Sequence, residues 1–186
     1  MILHIKNMVC DRCNAAVRSI FDSLGISFQS VILGEVETTE KITGKVRTAL
    51  KIALQAQGFD LLDDKKSKMI EKVKILLIAL VQEERQIDKV NISEYISQDI
   101  TVDYGSMSQI FSDQEGYTIE HYFILQRIEK VKELLRYNEM SLSEIAVKMH
   151  FSDVAHLSNQ FKKVVGCTPT AFKNFKRVDR KPLDAI

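Results

Sequence analysis

The sequence predicts an α+β chain in two parts. A small βαβαβ domain covers residues 1–66, and an all-α domain with two helix-turn-helix motifs covers residues 67–186. Three observations predict it. Residues 2–62 alternate short apolar strand-like runs with helical stretches that stop at glycine. From Met69 onward the apolar residues recur at helical spacing. Met140 to Phe175, MSLSEIAVKMHFSDVAHLSNQFKKVVGCTPTAFKNF, reads as a short helix, a tight turn, a second helix and a capped third helix.

Composition bounds the chain further. With 186 residues and 45% apolar residues it can bury a real core. The longest apolar run, Ile75 to Val81, is too short to span a bilayer. No signal peptide opens the sequence, so a cytoplasmic location is expected. Three cysteines, an odd number, argue against a disulfide scaffold. The net charge of +1 is unevenly spread: +3 over residues 1–79, −7 over 80–120 and +5 over 121–186. DNA binding needs a local basic face rather than a basic protein; the last third has one, and the middle third does not.

In order, Ile2 to Lys6 reads as a strand, followed by the loop Asn7-Met8-Val9-Cys10-Asp11-Arg12-Cys13. A helix runs to about Leu24 with Ala16, Val17, Ile20 and Phe21 on one face, and Gly25 ends it. A single strand is expected from Ser27 to Glu37. A helix from Gly44 to Gln57 turns Val46, Leu50, Ala53 and Leu54 inward, and Phe59 to Leu62 forms the last strand. The charged run Asp63 to Lys68 marks the expected boundary. A helix from Met69 to Glu84 buries Ile70, Val73, Leu77, Leu80 and Val81.

Asn91 caps a short helix with Glu94 three residues on, and Asp103 to Glu115 forms its partner, stopped by Gly116. Thr118 caps a long helix to about Tyr137, with Ile119, Tyr122, Phe123, Ile128, Val131, Leu134 and Leu135 inward. Ser141 and Glu144 form a capping box. Ser152 is expected to cap the following helix, whose inner face is Leu157, Phe161 and Val164 or Val165. Gly166 ends it, and Thr168-Pro169 opens the last helix.

The Ser-Glu-Ile-Ala core at 143–146, the Phe151-Ser152-Asp153 turn, the Leu157 to Lys163 helix and the Gly166-Cys167-Thr168-Pro169 corner resemble the signature of the AraC family of bacterial transcription regulators. The resemblance extends over about residues 70–178. It implies two heads joined rigidly by the long helix, double-stranded DNA as partner, and recruitment or blocking of RNA polymerase. By family position Val154, Ala155, His156 and Asn159 face bases, with Lys162 and Lys163 on phosphates. In the first head Gly105, Ser106 and Gln109 hold the equivalent places. Asp113 and Glu115 there would repel phosphate, so the head either reads bases weakly, the favoured reading, or contacts protein. A monomer with two heads and a homodimer both fit.

The strand, the Met8-x-Cys10-x-x-Cys13 loop, the helix after it and the late Gly58-Phe59-Asp60 resemble the heavy-metal-associated domain of copper chaperones and metal-pumping ATPases, which implies a ferredoxin-like fold. Asn7 stands where that family usually has glycine. Cys10 and Cys13 can hold Cu(I), or Zn(II) with further ligands, since two thiolates suit soft ions. Redox sensing and a vestigial pair stay open. His4, alternating with Leu3 and Ile5, faces solvent and is not expected to be a ligand. Cys167 is expected to be a small buried residue. No enzyme is required. The rival reading is a metal carrier or thiol redox protein with a helical docking module.

Overall fold

The computed structural model describes residues 1–82 and 91–174. The expected helix end at Glu84 and the end of the last helical stretch at Phe175 lie outside the described residues. The chain divides into two compact units, Met1–Ile75 and Leu76–Ile186.

The first unit is a four-stranded antiparallel sheet with two helices, in the order β1 (Ile2–Lys6), α1 (Asp11–Ser23), β2 (Phe28–Ile32), β3 (Glu35–Thr38), α2 (Gly44–Gln55), β4 (Asp60–Leu62). The strand order is β2-β3-β1-β4. The single strand expected from Ser27 to Glu37 is therefore two, and the order is β-α-β-β-α-β. Val31 pairs with Val36, and Ile32 with Glu35, across a two-residue turn at Leu33-Gly34. Gly34 makes this turn with a φ of 79°, in the left-handed region where a Cβ clashes with the following carbonyl.

Period-2 alternation puts Leu3, Ile5, Val31, Val36 and Leu61 on one sheet face. There they pack with Val17, Ile20 and Phe21 of α1 and Leu50 and Leu54 of α2. Val46, expected inward, is 48% exposed: it lies in the first turn of α2, four residues before the helix reaches the core at Leu50.

The helix α3 (Lys65–Gln82) starts inside the charged run. Its expected stripe of Ile70, Val73, Leu77, Leu80 and Val81 is buried.

The second unit continues with α4 (Ile92–Ser97), α5 (Tyr104–Glu115), α6 (Ile119–Tyr137), α7 (Leu142–Lys148), α8 (Val154–Val165) and α9 (Pro169–Asn174). The central element is α6, which packs on α5, α7, α8 and α9. All seven residues expected on its inner face are buried, and so are Gln126, Glu129 and Lys132. The contacts of the polar three run along the helix itself, and among the described residues the Glu129 Oε2 is left without a hydrogen bond. Gln126 donates to the Tyr122 hydroxyl at 2.8 Å, and Lys132 pairs with Glu129.

The caps explain where these helices begin and end. Ser141 and Glu144 form the expected capping box, and Thr118 accepts from the His121 N–H. Asn91 accepts from the Ser93 N–H, while Glu94 reaches the Asn91 amide rather than its backbone. The cap of α8 is Asp153, not Ser152: the Asp153 carboxylate accepts from the His156 N–H at 2.6 Å. A carboxylate outcompetes a hydroxyl here because charge-assisted bonds are stronger and the helix N-terminus favours negative charge.

The turn between α7 and α8 is held from α6. Arg127 donates to the backbone carbonyls of Met149, at 2.6 Å, and His150, at 3.0 Å. Its guanidinium lies 4.0 Å over the Phe151 ring. Burial brings this guanidinium down to about 10, leaving it charged at neutral pH. His150 sits at a φ of 55°, a conformation costly for a non-glycine residue that persists where surroundings over-determine it.

Two stability predictions follow from these contacts. In Gly34→Ala the new Cβ would meet the Ile75 side chain at 2.5 Å in a left-handed backbone. A loss of about 1–2 kcal/mol is expected, read as a lower urea midpoint for the full chain followed by circular dichroism. Arg127→Ala removes two charge-assisted bonds and orphans two carbonyls, for a loss of about 2–4 kcal/mol. Both bonds leave from Nη2, so Arg127→Lys keeps a donor and loses the plane that covers Phe151; it is expected to recover less than half of the loss, and full recovery would show that charge alone holds the turn.

Candidate nucleic-acid interface

Two helix-turn-helix pairs, α4–α5 and α7–α8, repeat at an interval of fifty residues. Asp103 and Asp153 each accept the N–H three residues on, from Ser106 and His156. Gly116 and Gly166 close the second helices at φ 79° and 86°. Thr118 and Thr168 then cap the next helix through bonds from His121 and Ala171. The cores repeat as well. Phe111 meets Tyr122 edge-on with ring centroids 5.9 Å apart, and Phe161 meets Phe172 at 5.3 Å.

Over the second head, Leu157 and Phe161 face inward and are fully buried. Ala155, His156, Asn159, Lys162 and Lys163 are exposed, while Val154 is half-buried at the helix start. Those five fall on one helical face, so the structure brings the expected base-facing and phosphate-facing residues together on the side away from the core. Lys162 and Lys163 also sit in the last turn, where the helix dipole favours cations. Cys167 is half-buried rather than buried, since the corner it occupies is at the surface.

The His156 ring is held. Its Nδ1 lies 3.0 Å from the Ser152 hydroxyl, and its ring stands edge-on to Phe151 with centroids 5.4 Å apart. Residue spacing gave no sign of Arg127 or of this Ser152 contact. The available signals were an arginine inside the apolar pattern of a buried helix, and a serine four residues before a histidine.

The first head has the same frame and different chemistry. Gly105, Ser106 and Gln109 are exposed on the corresponding face of α5. The Gln109 amide, however, donates to Asp113 at 2.8 Å. The α5 sequence carries Asp113 and Glu115 with no Lys or Arg, where α8 carries Lys162 and Lys163 with no acidic residue. Among the described residues, the neighbour that a Cβ added at Gly105 would meet is the Asp103 cap oxygen, at 3.3 Å.

The cysteine loop lies in the first unit. Cys10 and Cys13 are half-buried, with their sulfurs 3.4 Å apart. Burial pushes the Cys10 thiol up, but bonds from the Cys13 backbone and thiol and from the Arg12 backbone, with the Arg12 charge, outweigh it and leave the thiol below its ordinary value. Burial pushes Cys13 up, and the proximity of Cys10 adds to this. Met8 is fully buried in the sheet–helix core and is not offered to a ligand. Asn7 has a φ of 70°, so it adopts the backbone that glycine would take. The His4 Nδ1 lies 3.4 Å from Glu35, and burial lowers this imidazole against the opposing pull of that carboxylate. Among the described residues, no group of three or more His, Cys, Asp or Glu is arranged to hold a metal ion. No described helix is long and apolar enough to cross a membrane.

Residues 96–174 match a family described as a helix-turn-helix domain. The transcriptional activator RhaR of Enterobacter sp. (strain 638) is 33% identical over 72 residues, 39% of this chain and 26% of that protein. LumQ of Photobacterium leiognathi, described as a probable transcriptional regulator, is 28% identical over 120 residues, 63% of this chain and 46% of that protein. The chain thus spans under half the length of these relatives. Among solved structures, the C-terminal domain of AraT, a response regulator from Geobacillus stearothermophilus, shares the fold. Its TM-score is 0.50 at 19% identity, over 64% of this chain and 94% of that one. The paired heads, their shared central helix and these matches lead to one conclusion: the C-terminal part of this chain is a helix-turn-helix domain, similar to those of the regulators RhaR and LumQ.

Proposed function

We propose that this chain is a cytoplasmic DNA-binding transcription regulator of the AraC family, with α8 as its main reading helix. The observation that carries the reading is the single exposed face of Ala155, His156, Asn159, Lys162 and Lys163 on a helix whose other side is locked to α6. An α-helix fits the major groove and reads it near its N-terminal end. Asn159 would pair with adenine N6 and N7, and Val154 and Ala155 would touch a thymine methyl. Lys162 and Lys163 would hold phosphates, fixing register without reading sequence. The first head, acidic and with Gln109 engaged by Asp113, would read weakly through Gly105, Ser106 and Gln109. Two heads in one chain suit successive major grooves, and the bound protein would recruit or block RNA polymerase as a monomer or homodimer.

The first unit would modulate this activity through Cys10 and Cys13. Two thiols on one loop at a helix start are a soft donor pair. With no third ligand among the described residues, they suit two-coordinate Cu(I) better than Zn(II), which needs four ligands. The metal-carrier and thiol-redox readings share this loop and differ in requiring no specific DNA site.

Genomic mapping of bound DNA, followed by affinity measurements over a salt series, tests the main reading. A defined motif is expected. The Lys162→Ala/Lys163→Ala double variant should bind all sequences more weakly and flatten the salt dependence by about two units of log–log slope. An unchanged slope would remove both lysines from the interface. For the cysteines, anaerobic Cu(I) titration against a colorimetric chelator should show one ion per chain, lost in Cys10→Ser/Cys13→Ser. The same ion should change DNA affinity about tenfold, or 1.4 kcal/mol of coupling. Cu(I) binding without any specific DNA site would favour the carrier.

A further inference from the structure

We infer that His156 is a specificity-determining residue that selects guanine, through its outward Nε2–H and the N7 and O6 acceptors of that base; this rests on the DNA-reading role of α8.

Three observations converge on it. The ring is exposed on the same face as Asn159 and Lys163. It is also oriented before any ligand arrives: Nδ1 lies 3.0 Å from the Ser152 hydroxyl, and the ring stands at 84° to Phe151. Phe151 is in turn buried beneath the Arg127 guanidinium, 4.0 Å from its centroid. The imidazole is therefore braced through two side chains to the central helix, and Nδ1 is already engaged. A pre-oriented side chain gives up little conformational freedom on binding, so more of its contact energy goes to discrimination.

The outward nitrogen decides which base is read. The 3.0 Å contact admits a donor on either side; we take Ser152 as the donor, so that the neutral ring carries its own proton on Nε2. In the imidazolium Nε2 is also a donor. Both states thus present a donor to the groove. Guanine offers two adjacent acceptors there. Adenine sets its N7 beside an amino donor, and cytosine offers a donor alone. The counterpart of His156 in the first head is Ser106, whose short hydroxyl can donate or accept and so does not make this choice.

The test is selection from randomised duplexes with the full chain, for wild type, His156→Ala and Ser152→Ala, followed by binding to the selected site with 7-deazaguanine at the implicated position. One position should prefer guanine by about tenfold in wild type, lose that preference in His156→Ala and keep part of it in Ser152→Ala. Overall affinity for unrelated DNA should change little in either variant. The 7-deaza base should weaken wild type about fivefold to tenfold and leave His156→Ala unaffected. This arm needs no variant of the reading helix to fold in order to count against the idea. A defined motif whose guanines are indifferent to His156 and to 7-deaza replacement overturns the inference and leaves α8 as a reading helix. So does a His156-dependent preference for adenine or cytosine, which would make Nε2 an acceptor. The absence of any sequence preference overturns both the inference and the DNA-reading role.

Discussion

The second unit depends on how one half-buried cation is satisfied. Arg127 is largely withdrawn from water in the middle of α6, and its charge finds two backbone carbonyls and an aromatic face, all from the turn between α7 and α8. A cation in a low-dielectric setting without such partners would cost several kcal/mol. The turn is thus bound to supply them in one geometry, and that geometry includes the left-handed His150. The consequence passes outward. Fixing Met149 and His150 fixes where α8 begins, and stacking on Phe151 fixes the ring that braces His156. In the role proposed for α8 its side chains must stay in register with base edges, and rigidity at its start would then serve function as well as stability.

The repeat at fifty residues separates what a head needs to fold from what it needs to read. Asp caps, glycine stops, threonine caps and the facing aromatic pairs recur in both heads. These are positions where backbone groups must be satisfied or apolar surface buried, and few residue types will serve. The exposed positions carry no such constraint, and there the heads diverge: Gly105 against Ala155, Ser106 against His156, Gln109 against Asn159, Ser112 against Lys162, Asp113 against Lys163. The divergence follows charge. One helix presents cations near its C-terminus, where both the dipole and a phosphate would favour them. The other places Asp113 and Glu115 there, against the dipole at about 0.3–1 kcal/mol each. The scaffold is shared, and of the two second helices only α8 carries lysines.

Much of this was legible in the sequence because caps and stripes are local. Ser141 with Glu144, Thr118, Gly116 and Gly166 each mark a helix end through their own chemistry, and the seven apolar residues of α6 mark its buried face. Legibility failed where a longer-range contact decided the outcome. Leu33-Gly34 is so short a turn that the alternation of β2 runs into that of β3, so the two strands read as one. Ser152 and Asp153 are both good caps, and the choice turned on which one reaches the His156 N–H; Ser152 instead holds the imidazole. Arg127 was silent because its partners lie 22 and 23 residues away along the chain.

The cysteine loop shows the same division of labour on a smaller scale. Three of its features serve the fold. Met8 is spent in the core, Asn7 takes the left-handed turn, and the Asn7 N–H and amide are tied to Glu71 at 2.6 Å and to the Gly58 carbonyl at 2.8 Å. Those contacts pin the loop from both sides and account for why asparagine serves where a glycine would be expected. They use none of the thiol chemistry. Cys10 and Cys13 remain half-exposed with their sulfurs adjacent, and neither is needed to close a helix cap: α1 begins at Cys10 without a side-chain cap bond. Cys13 also packs against the sheet–helix core, so packing is part of what it does. Side by side on a braced loop at the water boundary, the two sulfurs stand where the thiophilic ligand proposed for them would be able to reach.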